Sequence, residues 1–578
     1  MINLKINGID VQADDNATIL EAAQQAGIYI PTLCHLKDIN QIGACRVCLV
    51  EIKGGRALAA SCVMPVSEGM EVFTNSPTVR NARTNVVKLI LSNHRSDCLT
   101  CVRNRECELQ TISADLGLDE SGFDLKVTGN IDDVSPSVVR DTSKCILCRR
   151  CVAVCSNVQE IGAIGIQNRG YTTTVGAAFD VPLAASNCIN CGQCINACPV
   201  GALYEKDSTA VVWEAIGDPS KHVVIQAAPA VRAALGEEFG MPIGTNVTGK
   251  MAAAMRRLGV DKVFDVNFSA DLTIMEEGTE FLHRLTTGGK LPLITSCSPG
   301  WIKYCEHNYH DLLDNLSTCK SPHEMGGAVM KSYYAEKNGI DPKDIFVVSV
   351  MPCTAKKFEA AREELSATGY PDVDAVVTTR ELAKMIKSVG IDFNELPDEG
   401  FDEMLGDYTG AGVIFGVTGG VMEAALRTVA EIVNEEPLKD INFNQVRGFE
   451  GIKEAEIKLK GANVRVAVAH GTASAKKLLE RVRAGEKFDF IEIMGCPNGC
   501  VNGGGQPHVS AKVRRGVDYV PLRAKALYDE DEQKVIRKSH ENPSIKKIYD
   551  EYFEKPGSHK SHELLHTPGY KARDRFGG

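Results

Sequence analysis

The chain has 578 residues, 21 of them cysteine, and a formal net charge of -11, with a pI of 5.7. That acidity argues against a nucleic-acid partner, no apolar run reaches the ~18 to 20 residues of a membrane helix, and a size of about four domains leaves no need for disulfide staples. The start, MINLKINGIDVQADD, alternates and is polar where a secretory signal would be basic and then apolar, so the expected location is the cytoplasm, where thiols stay reduced and clustered cysteines bind metal.

Fifteen cysteines precede residue 200 and six follow it. The front third is therefore expected to carry metal, and the rest to be a differently built module. The segment LKINGIDVQAD alternates like a hairpin of strands. After it, Cys34, Cys45, Cys48 and Cys62 are spaced C-x10-C-x2-C-x13-C, which resembles the 2Fe-2S ferredoxin-like β-grasp domain that opens several large redox subunits. We assign it residues 1–79 and one 2Fe-2S cluster, with structural zinc as the competing reading.

Residues 80–135 contain His94, Cys98, Cys101 and Cys107, spaced H-x3-C-x2-C-x5-C. Alone, this set is open between a Cys3His zinc site and a 4Fe-4S cluster with one imidazole ligand. Its neighbours favour the cluster, whose histidine would raise the potential by withholding negative charge.

Residues 136–208 hold two runs of C-x2-C-x2-C-x3-C. The first is Cys145, Cys148, Cys151 and Cys155, and the second is Cys188, Cys191, Cys194 and Cys198, followed by Pro199. In this bacterial ferredoxin spacing three thiolates two residues apart wrap one cubane, and the fourth ligates the other cluster. One 4Fe-4S cluster then takes Cys145, Cys148, Cys151 and Cys198, the other Cys188, Cys191, Cys194 and Cys155. With the His94 set this makes three accessory 4Fe-4S clusters. Such a series is a wire, and residues 209–578 should contain its terminus.

From about residue 210, apolar runs alternate with amphipathic segments: HVVIQAAPAV, DIFVVSVMPC, AGVIFGVTGG, VRVAVAHG and FDFIEIMGC. Bounded by Gly and Pro, they read as buried strands of mainly parallel sheets flanked by helices, giving a multidomain α/β chain. Cysteines stand in three turns, TSCSPGW at 295–301, MPCTAKKFE at 351–359 and EIMGCPNGCVNGGGQP at 492–507. Three loops meeting at strand ends could hold one metal centre.

These three loops, behind the accessory motifs in this order, resemble the iron-only hydrogenases of the large clostridial type, over essentially residues 1–560. The resemblance implies a large α/β catalytic domain and reversible reduction of protons to dihydrogen. The implied site, the H-cluster, is a 4Fe-4S cubane bridged through one cysteine to a di-iron unit bearing CO, cyanide and a bridging amine dithiolate. It places Cys353, Cys496 and Cys500 at three of the four cubane positions, Cys500 bridging. Lys356 would donate to a cyanide, Met351 and Met494 would be soft walls, and Gly503, Gly504 and Gly505 would let backbone approach the inorganic core. The implied proton relay is Cys297, Glu277, Ser317 and Glu280. Glu277 and Glu280 are three apart on a predicted helix and so share a face. Without the resemblance, E-E-G-T-E reads as a solvated helix face.

The sequence departs from that family at Ser298, where TSCCPGW is common and the second cysteine is the fourth cubane ligand. Serine ligates iron only as the harder, more basic alkoxide. Either Ser298 or water completes the cubane, or Cys297 ligates and Ser298 relays, or the substitution disables the site and leaves a sensor or relic. Ala230 stands where a serine often donates to the cluster's ligands, and His323 where a glutamine is common. Cys305 and Cys319 match no ligand and read as small buried hydrophobes. The tail SHKSHELLHTPGYKARDRFGG has three histidines at no site-like spacing and reads as an exposed arm that docks on a partner or on the catalytic domain.

No G-x-G-x-x-G stands in a strand-turn-helix setting, so nicotinamide and flavin are expected on other chains and electrons to enter by protein contact. The combination of motifs is similar to the hydrogenase subunit of electron-bifurcating complexes, whose flavin- and NAD(P)-binding subunits work with ferredoxin. Maturation proteins are implied for the di-iron unit. The alternatives are a monomeric ferredoxin-dependent hydrogenase and a conduit like the large iron-sulfur subunit of respiratory complex I, which would not need MPCTAKKFE or the CPNGC loop.

Overall fold

The computed structural model describes residues 1–118, 122–124 and 127–574. The expected hairpin is formed by strands Ile2–Ile6 and Ile9–Ala13, joined through Asn7 and Gly8, both at positive φ as a tight primed turn requires. Helix Ile19–Gln25 follows, started by a reciprocal Thr18/Glu21 capping box. Strand Glu71–Phe73 then pairs parallel with the first strand and antiparallel with Leu49–Ile52, closing a five-stranded sheet over the helix. Helix Pro77–Ser92, capped by Ser76 with proline in its first turn, carries the chain from this unit to His94.

The two cysteine runs at 145 and 188 fold alike. Leu147 and Arg149 in the first, and Asn190 and Gly192 in the second, sit at positive φ two and four residues past the leading cysteine. Each wrap leads into a short helix, Arg150–Ala153 or Gln193–Ala197. Only Gly192 has no alternative, because a Cβ there would lie 2.4 Å from Thr354 Oγ1 of the catalytic domain.

The rest of the chain is built on two four-stranded sheets. In the first, Lys262–Asp265, His222–Ala227, Ile345–Met351 and Ala375–Thr378 run parallel in that spatial order. In the second, Leu293–Ile294, Phe490–Met494 and Ala462–His470 are parallel and Ile452–Leu459 is an antiparallel edge. The strands are apolar because helices cover them. The carboxyl ends of both sheets deliver the functional loops: Ala228–Ala230 after His222–Ala227, Pro352–Cys353 after Ile345–Met351, Thr295–Ser298 after Leu293–Ile294, and Gly495–Cys500 after Phe490–Met494.

The fold departs from two expectations. AGVIFGVTGG is not a strand: Gly410–Ile414 is a helix, and Gly419 caps the next, Gly420–Asn434. The run is buried on all sides, so its apolarity carries no period that separates helix from strand. Its glycines favour close helix packing, since a Cβ on Gly412 would lie 2.6 Å from Asn267 O. The tail docks on the catalytic domain, one of the two expected places, but it is packed there and not exposed. Helix His559–Leu565 and the segment after it lie against the catalytic domain, with Leu564, Leu565 and His566 buried, Lys320 N donating to Leu565 O and Thr567 N to Thr318 O. The last four residues of the tail lie outside the described residues.

Candidate active site

In the N-terminal unit the four cysteines converge. Cys34 N donates to Cys45 Sγ at 3.4 Å and Cys45 N to Cys34 Sγ at 3.5 Å, and Cys48 and Cys62 sulfurs are 3.3 Å apart. His94 is buried, and its Nδ1 lies 3.0 Å from Lys144 O. The carbonyl fixes the proton on Nδ1 and leaves Nε2 as a free ligand atom, the usual outer support of a metal-binding imidazole. Cys101 and Cys107 lie close enough to repel as thiolates.

Cys145, Cys148, Cys151 and Cys198 line one cavity of about 470 Å³, and Cys155, Cys188, Cys191 and Cys194 line another of about 460 Å³. The structure thus brings Cys198 to the cavity of the first run and Cys155 to that of the second. Near-equal size and four cysteines each suit two groups of the same kind, and desolvation pushes the Cys145 thiol to about 11 and Cys191 to about 12.

These units touch in a definite order. Asn40 Nδ2 donates both to Cys34 O at 2.8 Å and to Cys148 O at 3.1 Å, so one amide joins the N-terminal unit to the first cubane cavity. Gly201, three residues past Cys198, packs so closely that a Cβ would lie 2.6 Å from Cys101 Sγ. Both outer units therefore abut the Cys198 cavity. At the other end Cys191 lies within electrostatic reach of Cys496. Three side chains of the two-run module hold the loop that carries Cys496 and Cys500. Gln159 Nε2 donates to Gly495 O, Gln193 Nε2 to Asn502 O and Asn196 Nδ2 to Gly503 O, at 2.8 to 2.9 Å.

The loops at the ends of both sheets enclose a largely apolar cavity of about 730 Å³. Cys297, Ser298, Cys353, Cys496, Cys500, Met351, Met494, Lys356 and His323 all line it, with Ala228 and Pro229 on the opposite wall. Four thiols, two thioethers and one ammonium around a largely apolar volume fit a large soft metal group better than an organic ligand. Burial alone would lower Lys356, but the Glu359 carboxylate at 2.6 Å outweighs it and holds the ammonium above its ordinary value. Lys356 also donates to Cys297 O at 3.0 Å, which aims it along the wall.

Ser298 Oγ accepts from Gly495 N at 2.9 Å, tying the first loop to the one that carries Cys496. Ala230 is fully buried and does not line the cavity; Pro229 stands in front of it. The glycine expectation also shifts. The cavity glycines are Gly495 and Gly499, whereas Gly503 and Gly504 are small because Pro352 O and Cys191 O would lie 2.1 and 2.2 Å from a Cβ there. They serve the crossing of protein backbones.

One chain of proton-bearing groups leaves the cavity. Cys297 is within electrostatic reach of Glu277. Glu277 hydrogen-bonds Ser317, Ser317 Oγ donates to Glu280 Oε2 at 2.9 Å, and Arg284 Nη2 binds Glu280 Oε1 at 2.6 Å near the surface. Glu277, Glu280 and Arg284 share a face of the 22-residue helix Val266–Thr287. Burial pushes the Glu277 carboxyl up to about 8.

Sequence reasoning named His323 and Lys356 but missed the carboxylates that join or flank them and Glu277, namely Glu359 and Glu276. His323 Nε2 lies 2.7 Å from Glu359, so His323, Glu359 and Lys356 form one buried network. Glu276 lies next to Glu277 but points the other way, accepting from Tyr549 and Gly557 and facing His566. The partners of Glu276 lie 273 to 290 residues away and no spacing announces them, whereas Glu359 is only three residues from Lys356 and 36 from His323.

The comparisons agree along the whole length. Residues 221–504 match the family described as Iron only hydrogenase large subunit, C-terminal domain, and 517–573 match Iron hydrogenase small subunit. Upstream, 1–77 match a 2Fe-2S iron-sulfur cluster binding domain, 83–122 the NADH-ubiquinone oxidoreductase-G iron-sulfur binding region, and 144–202 a 4Fe-4S dicluster domain. The chain is 50% identical over 583 residues to the NADP-reducing hydrogenase subunit HndD of Solidesulfovibrio fructosivorans, covering 99% of both chains. It is 44% identical over 570 residues to Iron hydrogenase 1 of Clostridium pasteurianum, covering 98% of this chain and 99% of that one. Among solved structures it is similar to a variant of apo [FeFe]-hydrogenase HydA1 from Chlamydomonas reinhardtii, with a TM-score of 0.56 and 45% identity over 63% of this chain and 99% of that one. A pure electron conduit has no use for the catalytic module, and the chain belongs to the iron-only, or [FeFe], hydrogenases.

Proposed function

We propose that this hydrogenase interconverts protons and dihydrogen at a group held by Cys353, Cys496 and Cys500, as the hydrogen-handling subunit of a cytoplasmic electron-bifurcating complex. Its companions are flavin- and NAD(P)-binding subunits together with ferredoxin, and maturation proteins supply the di-iron unit. The observation that carries the site is one cavity with three thiols on its walls and, leaving it through Cys297, a buried chain of proton carriers.

When bound, the 4Fe-4S-linked di-iron group supplies the electron-rich centre at which protons and dihydrogen interconvert. The chain does the rest. Lys356, held protonated by Glu359, donates toward anionic ligands on that wall. Met351 and Met494 keep the cavity apolar and exclude water. Cys297 carries the proton at the cavity end, Glu277 stays protonated at neutral pH and passes it through Ser317 to Glu280, and Arg284 holds Glu280 at the outer end. This favours Cys297 as the relay thiol and Ser298 as the side chain beside the fourth cubane corner. Ala230 and His323 act from behind or beside that wall.

We divide the chain at residues 79, 135 and 208, with one 2Fe-2S cluster in the first unit, one 4Fe-4S cluster on His94, Cys98, Cys101 and Cys107, and two more in the third. The touching order supports two inputs that converge on the Cys198 cubane and one output through the Cys191 cubane to Cys496. Leu99, 91% exposed, and Val102, 55% exposed, flank Cys98 and Cys101 and offer an apolar surface for an electron-donating partner. No helix among the described residues is long and apolar enough to cross a membrane.

The site is tested by an anaerobic infrared spectrum in the region of iron-bound CO and cyanide, under argon and then dihydrogen. Bands that shift with the gas are expected, and their absence from protein with its full ordinary cluster content would sink the assignment. The complex is tested by reconstitution with its flavoprotein partners. Dihydrogen should form when NAD(P)H and reduced ferredoxin are both present, and evolution from either donor alone at the same rate would remove bifurcation.

A further inference from the structure

At the outer end of the proton chain the docked tail brings a third kind of ligand to Glu280. Cys319 Sγ lies 3.8 Å from Glu280 Oε2 and 3.9 Å from His566 Nδ1, and one ligand atom from each of the three residues falls within 4.8 Å of the others. Cys319 and His566 are buried, 1% and 7% exposed, and an antiparallel bridge between them fixes their backbones.

The histidine is set up as a ligand by its own partners. Glu276 already accepts from Tyr549 OH at 2.5 Å and Gly557 N at 2.9 Å, and it faces His566 Nε2 at 3.1 Å. A carboxylate supplied with donors needs Nε2 to be the protonated nitrogen. Nδ1 is then a lone pair turned toward Cys319 and Glu280, accepting from Thr318 Oγ1 at 2.8 Å. A carboxylate behind an imidazole whose other nitrogen is bare is the support that metal-binding histidines carry. A tetrahedral zinc ion, with Zn–S of ~2.3 Å and Zn–N or Zn–O of ~2.0 to 2.1 Å, separates sulfur from its neighbours by about 3.5 Å. The two sulfur separations, 3.8 Å to Glu280 and 3.9 Å to His566, stand within about 0.4 Å of that.

We propose that Glu280, Cys319 and His566 form a binding site for a borderline-soft divalent cation, zinc before magnesium or calcium, at the mouth of the proton chain. One thiolate, one imidazole and one carboxylate select zinc over hard cations. The fourth position falls to water or to the Thr318 hydroxyl. Binding expels the Cys319 proton into solvent, so affinity rises with pH. Nothing is oxidised or reduced. The consequence for turnover rests on the relay assigned above: a carboxylate committed to zinc no longer takes a proton from Ser317, and proton passage stops while the clusters and the cavity stay intact.

The test is zinc K-edge X-ray absorption of the anaerobic holoenzyme with one equivalent of zinc chloride, with iron content followed to exclude cluster loss. A first shell of one sulfur with nitrogen and oxygen neighbours is expected, together with slowed dihydrogen turnover. Cys319→Ala should remove the sulfur and weaken zinc inhibition at least ~10-fold, and His566→Gln should weaken it by a similar factor. A shell of nitrogen and oxygen alone, unchanged in C319A, would move the zinc to a surface cluster such as Glu431, His540 and Glu541 and overturn the proposal. Zinc bound through sulfur and lost in C319A, but with turnover unaffected, supports the site and overturns the role assigned to Glu280.

Discussion

Replacing Glu277 by glutamine removes the one acid in the proton chain whose protonation state the fold has moved through neutrality. Burial lifts its carboxyl from an ordinary 4.5 to about 8, against the opposing hydrogen bond from Ser317 and with help from the Glu280 charge. That displacement is worth roughly 5 kcal/mol at 1.36 kcal/mol per pH unit. At pH 7 an ordinary glutamate holds a proton roughly one time in 300, whereas Glu277 holds it about nine times in ten. A carrier that is mostly protonated yet within reach of neutrality can both give and take a proton, and losing it should slow turnover ~10²- to 10⁴-fold. Wild-type turnover limited by this step should also fall as pH rises past about 8. The assay pairs dihydrogen evolution across pH 6 to 10 with infrared difference spectra of the protonated carboxyl, a band that should titrate near 8 and vanish in E277Q. Because the folded carboxyl keeps its proton longer than the unfolded one, its contribution to stability is fully present below pH 4.5 and lost as pH rises through about 8. E277Q within threefold of wild type, or a carboxyl that titrates near 4.5, would refute the reasoning.

Cys297→Ala should keep a full cubane and its spectrum while losing at least ~100-fold in turnover, since its thiol is the cavity group within reach of Glu277; iron lost from the catalytic site would instead make Cys297 a ligand. His94→Cys should retain a 4Fe-4S cluster but lower its potential, because thiolate adds the negative charge that imidazole withholds, and a redox titration followed by electron paramagnetic resonance reads the sign. Asn40→Ala removes the hydrogen bond that crosses to Cys148 O and the one to Cys34 O within its own unit, the crossing bond being worth about 0.5 to 1.5 kcal/mol of docking, and should slow electron passage from the 2Fe-2S unit in freeze-quench experiments without changing rates for electrons entering at the His94 cluster. Arg380→Ala leaves Glu205 without its partner guanidinium, a loss of about 3 to 5 kcal/mol for a buried pair, and should lower the midpoint for thermal bleaching of the clusters.

What the sequence discloses follows from how local the cause is. The cysteine sets were legible because a cubane fixes spacing within a dozen residues, and the positive-φ wraps at Leu147, Arg149, Asn190 and Gly192 are that constraint in backbone form. The parallel strands were legible because burial on both faces leaves unbroken apolar runs. The same burial hid the helix at Gly410–Ile414, since an all-apolar run has no period to read. Lys356 and Glu277 were reachable through the family resemblance, yet their settings were not. Glu359 holds Lys356 protonated and is itself bound by His323, while Glu276, one residue from Glu277, turns to a histidine 290 positions later. The Glu276 contact is long-range and leaves no local mark, whereas Glu359 stands three residues from Lys356 inside the motif MPCTAKKFE.

The hydrogen bonds from Gln159, Gln193 and Asn196 bear on how this enzyme can be cut down. They end on Gly495, Asn502 and Gly503 carbonyls, and Arg380 spans the same seam to Glu205 while also holding the carbonyls of Gly504 and Gln506. A fragment beginning near residue 209 would expose this seam to water, with unmatched acceptors and a guanidinium stripped of its counter-charge. Minimal versions will therefore need a re-dressed flank, with polar side chains grafted where the iron-sulfur module now leans, because that module braces a wall of the reaction chamber from behind as well as serving as its power cord.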